Sequence, residues 1–246
     1  MMSANSIDKV LVFDLWGTYG HFRRLESTTS PLTYSIPTGT AMAGIIAAIL
    51  GFERDSYYDL FTPETFKYSI KTLSPIRKVR LNISLINTKD GYFTLIKRKG
   101  HEPRTLIPYE FLINPKYRVY VWLKDKELFK KLAKLIKEHK SYYTPYLGLA
   151  PLIADFKFVG IETPQIIEHS RECIRVDSII EKKHATIIPK EGQKYLIERI
   201  PRYFNKDRVV QEFLDIILEA TGKPIFIRPE SEKPIYVVRH ENVVFI

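Results

Sequence analysis

The sequence predicts an α+β protein, with a ferredoxin-like amino-terminal domain that carries an inserted β-hairpin and a smaller β-rich carboxy-terminal region. Three observations predict it. Strand and helix patterns alternate as β-α-β-β-α-β between residues 10 and 161, a basic stretch interrupts the middle strands, and short strand-like runs follow after about residue 163. We therefore expect a first domain at residues 1–163, a hairpin "thumb" at about 76–110, and a second region at 164–246.

The strands of the first domain are predicted from short apolar runs and from the alternation of apolar with polar residues. They lie at Val10–Leu15, Phe66–Ile70, Arg80–Asn87, Arg118–Leu123 and Phe156–Ile161. A helix is expected from Pro37 to Leu50, because its small residues can pack closely on a sheet and Gly51 can end it. A second helix, Glu127–His139, has one apolar stripe and one lysine face, which is either solvated or a contact surface.

The carboxy-terminal region reads mainly as strands joined by proline-containing turns. Strand-like segments lie at Ile166–Ile188, Tyr195–Ile200, Ile225–Ile227 and Ile235–Val238. One further helix is expected from Arg208 to Thr221, where Gly222 can end it. Two segments of the first domain, Glu26–Ser35 and Ile96–Thr105, are expected to be loops because they are polar and poor in apolar residues.

The composition indicates a basic, folded protein. The 246 residues carry a formal net charge of +10, so a polyanion such as nucleic acid is the expected partner. Cys173 is the only cysteine, which excludes an intrachain disulfide and fits a reducing cytoplasm. The amino-terminus lacks a secretory pattern, and the most apolar segment, Ala41–Phe52, is too short to span a bilayer. We expect a cytoplasmic protein with no membrane role.

Three stretches mix positive charge with aromatic rings, as nucleic-acid-binding surfaces do. After the first strand, the rings either stack on bases or cover the core: Tyr19, His21, Phe22, Arg23 and Arg24. Around the expected hairpin, the cations either neutralise phosphates or form a solvated loop: Arg77, Lys78, Arg80, Lys97, Arg98, Lys99, His101 and Arg104. The third stretch is a candidate for RNA or partner contact: Lys190, Lys194, Arg199, Arg202 and Arg208, with Tyr195, Tyr203 and Phe204.

The sequence offers little that points to catalysis or to a cofactor. The six histidines are scattered without zinc-ligand spacing, and phosphate-binding, dinucleotide-binding and nucleophile-elbow motifs are absent. A metal-free ribonuclease needs a base, an acid and a cation, which Lys99, His101 and either Tyr34 or Tyr19 can supply in principle. We expect no catalytic residue, no metal and no cofactor.

Several stretches resemble the Cas-five family of CRISPR-associated RAMP proteins. The most specific is FDLWGTYGHFRRLESTTSPLTYSIPTGTAMAGIIAAILG at 13–51, with its Gly-aromatic-aromatic-Arg turn, its Tyr and its Pro-Thr before a small-residue helix. The runs KVRLN at 78–82, FLINPKYRVYV at 111–121 and TPYLGLAPLIADF at 144–156 also fit. The run ERIPRYFN at 198–205 resembles the type I-B branch.

The resemblance implies a ferredoxin-like fold with a thumb, in a non-catalytic subunit of a Cascade-type surveillance complex. Such a subunit binds the five-prime handle of CRISPR RNA at the end of the backbone filament. The implied partners are this RNA, the backbone subunit (Cas seven), the large subunit (Cas eight) and, indirectly, target DNA. The implied RNA contacts are Tyr19, His21, Arg23, Arg24, Tyr34, Thr38, Arg77, Lys78 and Arg80, to which the charge pattern adds Lys97, Arg98 and Lys99.

Two alternatives remain beside RNA binding without cleavage. One branch of the family is a metal-independent endoribonuclease that cuts the repeat RNA with Tyr, Lys and His, and its Lys and His are adjacent. The nearest match here is Lys99-Gly100-His101, in which a glycine separates the two residues. The other alternative is a basic protein–protein adaptor whose affinity for RNA is incidental.

Overall fold

The computed structural model describes residues 7–88, 96, 99–100, 102–167 and 173–246 of a mostly β protein. Its helices are Gly39–Leu50 (α1) and Lys126–Lys137 (α2), with short 3-10 turns at Tyr58–Leu60 and Lys182–His184. The strands are Val10–Gly17 (β1), Tyr19–Gly20 (β2), Phe22–Arg23 (β3), Thr33–Tyr34 (β4), Phe66–Thr72 (β5), Lys78–Ile86 (β6), Arg104–Ile113 (β7), Lys116–Leu123 (β8), Ala154–Glu162 (β9), Gln165–Ile167 (β10), Ile174–Val176 (β11), Ile180–Glu181 (β12), Ala185–Ile187 (β13), Tyr195–Phe204 (β14), Val210–Glu219 (β15), Ile225–Pro229 (β16), Ile235–Val238 (β17) and Glu241–Val243 (β18).

A four-stranded antiparallel sheet in the order β5-β8-β1-β9 forms the centre of the molecule. Its middle strand β1 is buried on both faces, which explains why VLVF is a continuous apolar run rather than an alternating one. The register pairs Leu11 with Val121 on one side and with Ile161 on the other. The predicted helices and central strands of the first domain are confirmed, with ends that differ by a few residues.

Local capping fixes both helices where the sequence predicts them. The Thr38 hydroxyl accepts a hydrogen bond from the Ala41 amide at 3.2 Å and so caps α1. Gly51 ends α1 in the left-handed conformation, at φ +87°, and its amide donates to Ala47 O. At the start of α2, the Asp125 carboxylate accepts from the amides of Glu127 and Leu128.

Both faces of the central sheet are covered in part by the carboxy-terminal strands. On one face, Phe13 of β1 and Ile46 of α1 share a hydrophobic cluster with Leu214 of β15. On the opposite face, Trp122 of β8 shares a second cluster with Val238 of β17. Packing therefore continues across residue 163, and the two-domain division stays a prediction. None of the helices in the described part of the chain is long and apolar enough to cross a membrane.

The helix predicted from Arg208 to Thr221 is wrong: residues Val210–Glu219 form the strand β15. The run VQEFLDIILE has apolar residues at helical spacing, but it is also rich in branched side chains that suit a pleated sheet. Pairing with β14 decides the outcome, because Leu214 lies opposite Ile200 and both are buried. Two predicted loops are also shorter than expected, since Thr33–Tyr34 is strand β4 and Arg104 begins β7.

Candidate nucleic-acid interface

The loop after β1 is attached to the base of the β6–β7 hairpin. In β2, Tyr19 lies opposite Ile113 of β7, and its partly exposed ring meets Phe111 edge-on at 6.2 Å between centroids. Strands β6 and β7 pair from Lys78 opposite Leu112 to Ile86 opposite Arg104. Tyr19 therefore presents an aromatic ring where the hairpin leaves the body of the protein.

His21, predicted as an RNA contact, lies inside this junction and is only 1% exposed. Its Nδ1 lies 2.7 Å from Glu110 O, so Nδ1–H donates and Nε2 carries no proton. The ring packs against Tyr109 and Phe111, and Nε2 has no hydrogen-bond partner among the described residues. His21 therefore packs under the Tyr109 and Phe111 rings and does not itself reach a ligand in this conformation.

Burial lowers the pKa of His21 below its ordinary value of 6.5, and the Arg23 charge acts in the same direction. The hydrogen bond to Glu110 O and the Glu110 charge oppose the shift. Because the unfolded chain binds this proton more readily, stability is expected to fall as the pH drops below about 6.5. We expect His21→Gln, which removes the titratable ring, to lose less melting temperature between pH 7 and pH 5 than the wild type.

The comparison with His21→Gln isolates this histidine from His184, whose pKa is also lowered by burial and by Lys233. His184 is present in both proteins and contributes equally. Equal losses of melting temperature in the two proteins would show that His21 does not resist protonation in the folded state.

The two arginines after His21 have different surroundings. Arg23 is exposed and donates only to the backbone oxygen of Ser27, at 3.3 Å. Arg24 is partly buried, and its guanidinium lies 5.3 Å from the centre of the Tyr34 ring. A nitrogen of Arg24 also contacts a carboxylate oxygen of Glu198, on β14, at 2.5 Å. Of these two arginines, only Arg23 makes no ion pair with a carboxylate of the described residues.

Glu198 is the centre of a network that joins distant parts of the chain. Its side chain is 4% exposed, and its carboxylate accepts hydrogen bonds from the Ser35 amide at 2.9 Å and the Ser35 hydroxyl at 2.8 Å. The Lys78 ammonium lies 3.8 Å from the same carboxylate and 3.5 Å from that of Glu110. Lys78 also donates to Thr33 O at 2.8 Å. Two predicted RNA contacts, Arg24 and Lys78, thus make ion pairs inside the protein.

Tyr34 and Thr38, also predicted as RNA contacts, are buried. Burial raises the pKa of the Tyr34 hydroxyl, and that hydroxyl has no hydrogen-bond partner among the described residues. The Thr38 hydroxyl is occupied with the amino-terminus of α1 and lies 2.9 Å from the Thr40 hydroxyl. In this conformation Tyr34 and Thr38 therefore belong to the buried layer under the proposed RNA surface and are not exposed on it.

The remaining predicted cations lie on or near the hairpin. Arg77, Arg80 and Lys99 are exposed, and none of them pairs with a carboxylate of the described residues. Arg80 lies opposite Glu110 in the strand register. Lys97, Arg98 and His101 lie outside the described residues.

The third predicted stretch is mostly paired internally. Arg202 contacts Glu212 at 2.9 Å, Arg208 contacts Asp55 at 2.6 Å, and the Arg199 guanidinium lies over the Phe213 ring. These residues link β14 and β15 to each other and to the loop after α1.

The RNA contacts chosen from the sequence do not include a loop beside the β2–β3 turn, SYYTPYLGLAP at 141–151, although the sequence shows that it is dense in aromatic residues. Tyr142, Tyr143 and Tyr146 are exposed. The His21 amide donates to Leu147 O at 2.9 Å, which holds this loop against the turn. At Gly148, φ is +92° and a Cβ would lie 1.8 Å from His21 O, so the close approach requires glycine.

A cavity of about 220 Å³ opens between this loop and α1. Small residues of α1 form one side and two tyrosines form the other; it is lined by Thr40, Ala41, Gly44, Ile45, Ala48, Tyr57, Tyr146 and Gly148. Aromatic rings next to small residues suit the face of a nucleobase. Tyr19 and Arg23 are each two residues from His21, whose amide holds this loop. The loop, Tyr19 and Arg23 together offer rings that can stack on bases and a cation that can bind phosphate.

The described residues contain no group of three or more metal-ligating side chains placed to hold a metal ion. Over residues 10–211 the chain matches a family model described as CRISPR-associated protein (Cas_Cas5). No curated protein matches the chain in sequence.

Two solved structures have a similar fold. A CRISPR protein from Archaeoglobus fulgidus superposes with a TM-score of 0.60 at 15% identity, covering 96% of this chain and 98% of that one. A chain of a CRISPR RNA-guided surveillance complex superposes with a TM-score of 0.53 at 16% identity, covering 87% of this chain and 91% of that one. At these identities the likeness concerns the fold alone.

Proposed function

Because the chain belongs to the CRISPR-associated protein (Cas_Cas5) family, we propose that it is a non-catalytic RNA-binding subunit of a type I-B-like surveillance complex. Its ligand is the five-prime handle of CRISPR RNA, and it caps the end of the backbone filament in the cytoplasm. One observation carries the proposal: exposed Tyr19 and Arg23 lie beside the base of a hairpin that presents Arg77 and Arg80. Rings that stack on bases and cations that grip phosphates are what single-stranded RNA requires.

The fold supports this assignment. Four central strands in the order β5-β8-β1-β9, with α1 after β1 and α2 after β8, correspond to the ferredoxin-like plan. We propose the β6–β7 hairpin, whose strands pair from Lys78 to Ile86, as the thumb. Its exposed Leu81 and Leu106 give it apolar surface that a neighbouring backbone or large subunit, Cas seven or Cas eight, can cover.

The proposed absence of cleavage is supported by the surroundings of two described histidines, His21 and His139. A general base must reach the proton that it removes. His21 is buried, so its unprotonated Nε2 does not reach a substrate in this conformation. His139 lies 2.6 Å from Asp155, on the side of the protein formed by α2 and β9.

The test is to incubate the purified protein with labelled repeat RNA in EDTA and to measure binding and cleavage in parallel. We expect tight binding that depends on the handle sequence, weakens steeply with salt, and leaves the RNA intact. A specific cut that disappears in His101→Ala would replace this proposal with the endoribonuclease alternative. Equal binding of handle and scrambled RNA would favour the adaptor.

A further inference from the structure

Three cations from three distant elements line a pocket of about 320 Å³ away from the RNA surface. Lys67 lies at the start of β5, Arg202 on β14 and Lys233 in the turn before β17. The walls are otherwise apolar except for Glu64 at the rim; they consist of Ile7, Pro63, Pro234, Tyr236, Phe245 and Ile246. The hairpin leaves the body after the opposite end of β5, so this pocket is a separate site.

The carboxylates near the pocket do not balance its positive charge fully. Arg202 pairs with Glu212 at 2.9 Å, and Lys233 pairs with Glu181 at 3.2 Å. Glu181 is shared, because it also contacts Lys183 at 2.5 Å and His184 at 3.1 Å. Lys67 makes no ion pair with a described carboxylate, and its ammonium lies 5.5 Å from the centre of the Trp122 ring.

Arg202 lies close enough to Lys67 and Lys233 for its charge to act on both lysines in a partly dry setting. The side chains of Arg202 and Lys233 are 20% and 23% exposed. Burial lowers the pKa of both Lys67 and Lys233, and the Arg202 charge lowers it further in each case, while Glu181 opposes the shift of Lys233. An anion held between them offsets this repulsion and compensates for the lost hydration.

We propose that this pocket binds a phosphate group, carried either by a free phosphate ester or by the backbone of a nucleic acid. Arg202 offers a planar fork of donors that matches two phosphate oxygens, while Lys67 and Lys233 each offer a compact charge. The remaining volume and the apolar walls leave room for a sugar or a base beside the phosphate.

The experiment measures binding of inorganic phosphate, AMP and a handle RNA oligonucleotide to the full chain, by calorimetry at constant ionic strength. The test variant is Lys67→Met, which leaves no carboxylate without its partner and keeps an unbranched chain over Trp122. The matched control is Lys157→Met, at an exposed lysine of β9 outside the pocket. Lys233→Met is a second test variant, because Glu181 retains Lys183 and His184.

We expect both pocket variants to weaken phosphate binding about tenfold and the control to leave it unchanged. Weakened binding of phosphate and AMP supports a free ester as the ligand, while an effect confined to RNA supports a backbone phosphate. Identical binding of all three probes by Lys67→Met, Lys233→Met and Lys157→Met would overturn the proposal. Charge reversal at Arg23, Arg77 and Arg80 tests the RNA surface separately. It is expected to remove handle binding and to leave phosphate binding in this pocket intact, so the two proposals can fail independently.

Discussion

Replacing Glu198 by glutamine is expected to lower the free energy of unfolding by about 3 kcal/mol, because a buried acceptor shared by two cations loses its charge. The substitution keeps the shape of the side chain, so the effect comes mainly from the Arg24 charge, which is left partly buried without a counter-charge, while Lys78 keeps only Glu110. The Ser35 amide and hydroxyl also lose a charged acceptor. Urea denaturation of wild type and variant measures the difference.

The matched control is Glu127→Gln on α2. Glu127 is 83% exposed and pairs with Lys130 at 2.7 Å, so the loss of this pair is expected to cost under about 0.5 kcal/mol. If Glu198→Gln were as stable as Glu127→Gln, the network would not hold the β2–β3 turn, the hairpin and β14 together.

Charge reversal at the three exposed arginines of the RNA surface is expected to have the largest effect on binding. The variant combines Arg23→Glu, Arg77→Glu and Arg80→Glu, none of which breaks an ion pair between described residues. Three lost phosphate contacts reduce the slope of log K against log salt by about 2 and the affinity at 0.15 M salt on the order of 50-fold. Fluorescence anisotropy with labelled handle RNA at several salt concentrations measures both quantities.

A control with the same change in net charge lies on α2, where Lys130, Lys134 and Lys137 are exposed. Reversing these lysines is expected to reduce the affinity much less, since they lie away from the hairpin. Equal losses in the two variants would mean that RNA responds to the net charge of the protein and not to a defined surface.

Local patterns predicted the fold wherever a segment carries its own signal. The stop at Gly51 and the lysine face of α2 are properties of a few neighbouring residues, and the structure follows them. The error at Arg208–Thr221 has a different origin. That run is compatible with helix and strand alike, and the choice is made by β14, which the local pattern does not contain.

The surroundings of the candidate site residues were less predictable, because they depend on long-range contacts. Tyr19 and Arg23, chosen from the aromatic and basic pattern, lie near one junction and are exposed. Whether an arginine is free depends on what lies next to it in space. Arg24 and Lys78 share the type and the neighbourhood of the free cations, yet Glu198 takes both, and no spacing rule connects them. Whether any of these residues contacts RNA stays a prediction.

The Glu198 network also sets an order of events during protein synthesis. Arg24 and Glu198 are separated by 174 positions, so at about 5 to 20 residues per second a ribosome needs roughly 9 to 35 s to add the second after the first. Throughout that interval the nascent chain carries the Arg24 cation without the Glu198 counter-charge. The surface proposed for CRISPR RNA is therefore completed only when most of the chain has been translated, and a truncated product lacks the residue that fixes its geometry.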